Sequence, residues 1–64
     1  MAFADKLKAL RLEKGYTQKE LAKLIHVAQP TYCNYEKGKI YPHVNTQIQL
    51  ANVLGVDRQE LMSE

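Results

Sequence analysis

Apolar residues recur along this chain at the three- and four-residue intervals that amphipathic helices require. Phe3, Leu7 and Leu10 follow that spacing, and Gly15 supplies a stop after them. The same spacing and the stop signals beside it predict five short helices, at about 3–14, 18–25, 29–37, 44–54 and 58–62. No segment has the pattern of a strand pair. The predicted fold class is therefore all-α, a compact five-helix bundle in one domain over residues 1–64.

Local signals indicate where two of these helices begin and what the fourth one buries. Thr17 with Glu20, and Asp57 with Glu60, have the spacing of a capping box, in which the two side chains bind each other's backbone N–H groups. The fourth helix is expected to turn four apolar residues inward: Ile48, Leu50, Ala51 and Leu54.

The second and third predicted helices are short and are joined by residues 26–28, which is the organisation of a helix-turn-helix hairpin. Tyr32 and Tyr35 are expected to face the core. The outward face of the third helix then consists of Gln29, Pro30, Cys33 and Asn34. Solvated faces usually carry Lys and Glu, whereas Gln and Asn pair bidentately with adenine in the major groove. This face is a candidate DNA-reading surface, and a plain surface helix with two amides is the alternative.

Length and composition exclude several classes of protein. Sixty-four residues leave little room for a substrate pocket and the shell that holds catalytic groups, so no enzyme is expected. One cysteine cannot form an internal disulfide, and no paired Cys/His spacing indicates a metal site. No cofactor or small-molecule substrate is expected either. No apolar run approaches the roughly 18 residues of a membrane span, and no secretory segment follows Met1, so a cytoplasmic location is predicted.

Charge is distributed unevenly along the chain. The formal net charge is only +2, but Glu36 is the one acidic residue between positions 27 and 56, where Lys37 and Lys39 also lie. If an internal partner neutralises Glu36, this middle segment presents positive charge and amides. That is the electrostatic pattern expected of a small DNA-binding surface.

The chain resembles the Cro/repressor-type helix-turn-helix family, the xenobiotic-response-element family of bacterial and phage regulators. The likeness extends over about 7–62 and rests on four segments in order, at 10–15, 17–22, 35–39 with Pro42, and 50–56 with 60–61. It implies a lambda-repressor-like fold and a sequence-specific, double-stranded DNA-binding transcriptional regulator, a repressor encoded by a bacterium or a phage. The chain departs from the family at His26, where glycine is usual, and at Ala28, which replaces a capping Ser or Thr.

The resemblance also implies roles for individual residues. Gln18 corresponds to the family's phosphate-contacting glutamine, and Arg11 with Glu36 corresponds to an ion pair between helices 1 and 3. The base-reading positions are Gln29, Pro30, Cys33 and Asn34. Contacts to the DNA backbone are expected from Thr31, Lys37, Lys39 and Tyr41.

One short reading helix contacts too few base pairs for useful specificity, since each correct base pair contributes about 1–3 kcal/mol. A homodimer on a near-palindromic operator is therefore predicted, with helix 3 in the major groove of each half-site. The expected dimer surface is the corner of helices 4 and 5, with Val56, Arg58 and Met62. The alternative function is a protein-interaction module, such as an antitoxin-type partner or an adaptor, because one fold serves many functions.

Overall fold

The computed structural model describes residues 2–63, so Met1 and Glu64, the ends of the predicted domain, lie outside the described residues. Within that range the chain has no strand and forms five α-helices: α1 (Phe3–Lys14), α2 (Gln18–Leu24), α3 (Gln29–Lys37), α4 (Val44–Leu54) and α5 (Arg58–Met62). The predicted all-α class is confirmed. The α2 helix ends one residue earlier than predicted, because Ile25 has left helical geometry with φ −102° and ψ 9°. None of the helices described is both long and apolar enough to cross a bilayer.

The two predicted capping boxes have different outcomes. At the start of α2, the Thr17 hydroxyl accepts from the Glu20 N–H at 3.0 Å, and the Glu20 carboxylate accepts from the Thr17 N–H at 2.8 Å. At the start of α5, the predicted box is wrong, because the Asp57 side chain makes no capping hydrogen bond. A box there would bring two carboxylates, those of Asp57 and Glu60, to the same turn, whereas the cap of α2 is a neutral hydroxyl.

The turn between α2 and α3 depends on one left-handed residue. His26 has φ 61°, and it is the only non-glycine residue at positive φ in the described part of the chain. The turn is closed by the Val27 N–H, which donates to the Ala22 carbonyl at 3.0 Å. Ala28 caps α3 by its backbone alone, and Pro30 lies in the first turn, where a missing N–H leaves no hydrogen bond unmade. The left-handed backbone at His26 therefore permits the tight turn between α2 and α3.

All five helices contribute to one core, in which Ala22 is small enough for α2 to approach α3. The most deeply buried large side chains are Leu7, Leu21, Ile25, Tyr32, Leu50, Leu54 and Leu61. The prediction for Ile48 is wrong, since its side chain is 44% exposed. The buried stripe of α4 begins at Gln47 instead, and one step of about 100° along the helix carries Ile48 off that stripe.

The first and last helices are joined by one lysine. Lys6 Nζ donates to the Glu60 carbonyl at 3.0 Å and to the Ser63 carbonyl at 2.9 Å. These carbonyls lie at the C-terminal end of α5, where a helix has unsatisfied acceptors and carries partial negative charge. A five-residue helix that would not persist alone is thus fixed to α1.

Candidate nucleic-acid interface

Glu36, near the end of α3, is an acceptor for side chains from three helices. Arg11 on α1 forms the ion pair with it, with Nε to Oε2 at 2.6 Å and Nη2 to Oε1 at 3.3 Å. The two side chains are only 9% and 4% exposed. A third guanidinium nitrogen of Arg11, Nη1, donates to the Tyr16 carbonyl at 2.8 Å. The charge pair therefore joins α1, the segment that precedes α2, and α3.

Two further donors complete this network. The Tyr32 hydroxyl, on the buried side of α3, donates to Oε2 of Glu36. Gln18, the first residue of α2, donates through Nε2 to Oε1 at 2.9 Å. Each carboxylate oxygen of Glu36 thus has two partners, and the start of α2 is held against the end of α3. The resemblance to the family supplied the ion pair, but neither it nor the sequence pattern showed that Glu36 also accepts hydrogen bonds from Tyr32 and Gln18.

The environment of Glu36 keeps its charge in place. Burial alone raises the pKa of this carboxyl, but hydrogen bonds from Arg11, Tyr32 and Gln18 outweigh it, so the pKa is lowered from its usual value. The hydrogen bond to Glu36 raises the pKa of Arg11, and burial followed by the same carboxylate raises the pKa of Tyr32. Because Glu36 is neutralised internally, the segment around it presents no uncompensated acid.

The predicted reading face lies on the outer side of α3. Gln29 and Pro30 are exposed, while Cys33 and Asn34 are half-buried. Within residues 2–63, the side-chain amides of Gln29 and Asn34 make no hydrogen bond. Their donors and acceptors are therefore available to a ligand, as bidentate pairing with a base requires.

The predicted contacts to the DNA backbone lie around this face. Lys37, Lys39 and Tyr41 are exposed at the end of α3 and in the loop after it, and Thr31 is half-buried. The Tyr41 ring rests against Phe3, with ring centroids 5.5 Å apart. This contact ties the loop to the start of α1, so the loop has a defined position.

Gln47 is a buried polar residue that sequence reasoning missed. It is 6% exposed, its Nε2 donates to the Pro42 carbonyl at 3.0 Å, and its Oε1 accepts from Arg58 Nη1 at 2.9 Å. The signal was available, since Gln47 occupies the position that starts the apolar stripe of Leu50 and Leu54. A polar residue on such a stripe indicates a specific hydrogen-bond partner.

The residues expected at a dimer surface differ in how exposed they are. Val56 and Met62 are half-buried against the core. Arg58 is exposed, and its guanidinium donates a hydrogen bond to Gln47. Large apolar side chains are more exposed elsewhere, at Leu12, Leu24, Ile40, Tyr41, Val44 and Ile48. Val44 and Ile48 lie four residues apart, on one face of α4.

The helix-turn-helix family model matches residues 7–61, a range that contains α2, α3 and every member of the Glu36 network. The chain belongs to the helix-turn-helix family. The resemblance to Cro/repressor-type proteins is thereby confirmed, and the relatives and solved structures below agree with it.

Two curated relatives are transcriptional regulators by name. The cryptic phage CTXphi transcriptional repressor RstR of Vibrio cholerae is 40% identical over 62 residues, which cover 97% of this chain and 56% of that protein. The SPbeta prophage-derived HTH-type transcriptional regulator YonR of Bacillus subtilis is 37% identical over 60 residues, 94% of this chain and 56% of that protein. The chain thus spans about half the length of these relatives.

Two solved structures share the arrangement of helices. The restriction-modification controller protein C.AhdI of Aeromonas hydrophila superposes with a TM-score of 0.87 at 28% identity, over 94% of this chain and 91% of that one. The P22 c2 repressor, solved in complex with a synthetic operator, superposes with a TM-score of 0.93 over 98% and 96% of the two chains. At 17% identity this second likeness concerns the fold alone. The repressor-like fold class is confirmed.

Proposed function

We propose that this chain binds double-stranded DNA in a sequence-specific way and represses transcription in a bacterial cytoplasm, as a chromosomal or phage-encoded regulator. The observation that carries the proposal is the outer face of α3, where the amides of Gln29 and Asn34 are unengaged by the rest of residues 2–63. Membership of a family with named regulators supports the proposal and argues against an enzyme.

In this proposal α3 lies in the major groove and α2 crosses the backbone. Gln29, Pro30, Cys33 and Asn34 face the base edges. Gln18 contacts a phosphate at the N-terminus of α2, where backbone N–H groups also favour an anion. Pro30 has no hydrogen bond to offer, and its ring fits an apolar contact with a thymine methyl group. Phosphates on the other side of the groove are contacted by Thr31, Lys37, Lys39 and Tyr41.

The functional unit in this proposal is a homodimer on a near-palindromic operator. The Cα atoms of the domain extend over 24 × 22 × 21 Å, so two copies in contact can hold their α3 helices the roughly 34 Å apart that separates half-sites. We place the dimer surface at the corner of α4 and α5, with Val56, Arg58 and Met62. The partly exposed apolar side chains of Val56 and Met62 support this choice.

A binding assay at graded salt tests DNA binding. Fluorescence anisotropy with a random duplex pool should give a log–log salt slope of minus several units, because each neutralised phosphate releases counterions. Lys39→Ala should make that slope less negative, and Lys8→Ala, on the exposed side of α1, is the matched control that should leave it unchanged. A folded chain that binds no duplex at any salt concentration would instead favour the protein-interaction module.

Sedimentation with a duplex selected for binding from that random pool tests the dimer. Two copies per duplex are expected, and Met62→Lys should reduce this to one copy at the same protein concentration. Val44→Lys, at an apolar position that is 55% exposed on α4, is the matched control. If Val44→Lys dissociates the dimer and Met62→Lys does not, the dimer surface lies on α4 and our placement is wrong.

A further inference from the structure

Gln47 lies in the core at a position where α4 otherwise buries apolar side chains. It shares its stripe with Leu50, Ala51 and Leu54, and it is 6% exposed. An apolar residue at this position would need no partner, whereas a buried amide has to bond both its N–H and its C=O groups. The glutamine therefore makes two contacts that an apolar residue could not make.

These two contacts reach different elements of the fold. Nε2 donates to the carbonyl of Pro42, which is buried in the loop over residues 38–43. Oε1 accepts from Nη1 of Arg58 on α5. A guanidinium only donates, so Arg58 fixes the amide orientation in which Nε2 is left for the loop.

The loop has few other polar contacts at its centre. Its start is held by the N–H groups of Lys39 and Ile40, which donate to the Asn34 carbonyl at 3.0 and 3.4 Å. Its end is held by the His43 carbonyl, which accepts from the backbone N–H of residue 47 at 2.9 Å. Between these anchors the side chain of Gln47 holds Pro42, and the packing of Tyr41 on Phe3 holds the neighbouring residue.

From this arrangement we infer that Gln47 is a positioning residue for DNA binding. It holds the loop so that Lys39 and Tyr41 meet the phosphates together, and Arg58 keeps its amide turned toward that loop. The inference rests on the proposed function, because it is there that these two residues are assigned to phosphates. Gln47 would thus affect DNA binding without contacting the DNA itself.

The test is Gln47→Met, which keeps the length and burial of the side chain and removes both hydrogen bonds. The matched control is Gln49→Met, on the exposed side of the same helix. We expect Gln47→Met to reduce the magnitude of the negative log–log salt slope by about one unit and to weaken duplex binding about fivefold at a given salt concentration, as for the loss of one phosphate contact. Gln49→Met should match the wild-type chain in both quantities.

A second measurement separates positioning from general destabilisation. Backbone ¹⁵N relaxation of the free chain should show increased motion at Lys39, Ile40 and Tyr41 in Gln47→Met, while the amides of Tyr32 and Tyr35 stay rigid. If Gln47→Met does not fold, Gln47→Glu replaces it, since a carboxylate keeps an acceptor for Arg58 and has no donor for the Pro42 carbonyl. The added negative charge would itself change the salt slope, so this variant is judged by the relaxation measurement, in which the same increased motion of the loop is expected.

The outcomes are distinct. A folded Gln47→Met chain with the wild-type salt slope and an unchanged loop overturns the inference, and so does an equal loss of slope in Gln49→Met. A wild-type chain that binds no duplex overturns the proposed function instead. The relaxation measurement needs no DNA, so it can be made even if the wild-type chain binds no duplex. A loop that is equally rigid in the wild-type chain and in Gln47→Met would show that Gln47 does not position it.

Discussion

Gln18, the first residue of α2, donates through Nε2 to Oε1 of Glu36 at 2.9 Å. The amide nitrogen carries two hydrogens, so one is committed to the core and the other remains for a phosphate. The buried carboxylate that stabilises the fold thus also orients a side chain of the proposed DNA interface. Changes at Glu36 are therefore expected to affect both folding and binding.

Removal of either member of the buried ion pair should unfold much of the population. We expect Arg11→Ala and Glu36→Ala each to lower the free energy of unfolding by about 3–5 kcal/mol, because the remaining charge stays buried without its partner. Urea denaturation measures this loss. Glu13→Ala, at an exposed acid on α1, is the control and should change little. An unchanged midpoint in either core variant would contradict the prediction.

Loss of the Tyr32 hydroxyl should have a smaller effect. Tyr32→Phe keeps the packing of the ring and removes one donor to a charged acceptor, which costs about 1.5–3 kcal/mol. Tyr41→Phe, at a residue that is 65% exposed, is the matched control. Equal denaturation midpoints for Tyr32→Phe and the wild-type chain would show that the hydroxyl contributes nothing.

The domain should lose stability in acid because of Glu36. Its pKa is lowered in the folded chain, so the unfolded chain takes up the proton first as the pH falls. The contribution of Glu36 is fully present above the unfolded pKa of about 4.3 and is lost as the pH falls from there through the folded value. Urea midpoints between neutral pH and about pH 3 measure the loss. Glu36→Gln should flatten the curve in this window, and an equally steep curve in that variant would assign the effect to other carboxylates.

Base-reading and backbone-contacting residues should differ in what their removal does to specificity. Gln29→Ala and Asn34→Ala should relax the preference at particular operator positions, since a bidentate pair discriminates by about 1–3 kcal/mol. Lys39→Ala should weaken binding to all sequences alike and reduce the magnitude of the negative salt slope by about one unit. Selection of bound sequences from a random duplex pool separates these patterns. If Gln29→Ala leaves the selected motif intact, the reading face has been assigned wrongly.

The helices could be predicted from the sequence because their signals are local. Apolar spacing and the glycines after α1, α3 and α4 depend only on neighbours in the chain. Which face of α4 is buried was harder to predict. Gln47 and Ile48 are adjacent in the chain, and hydrophobicity alone favours burying Ile48. The structure buries Gln47 because Pro42 and Arg58 satisfy its amide, and both partners are visible only once the loop and α5 are placed.

The candidate site shows the same division. The outward face of α3 follows from helical geometry once Tyr32 and Tyr35 are assigned to the core. The network around Glu36 joins residues that are 18 and 25 positions apart along the chain, so spacing could not show how Gln18 and Arg11 share it. The resemblance to a family predicted the ion pair, whereas the hydrogen bonds from Gln18 and Tyr32 to Glu36 became visible only in the packed structure.

The α3 helix keeps its structural residues and its proposed recognition residues separate. Tyr32, Tyr35 and Glu36 are committed to the interior, whereas the side chains of Gln29 and Asn34 bond to nothing else within residues 2–63. Substitutions at exposed positions such as Gln29 usually change stability by less than about 0.5 kcal/mol. Under the proposed function, an operator that changes by mutation can therefore be followed by substitutions on the outer face of α3, one residue at a time, while the packed scaffold stays the same.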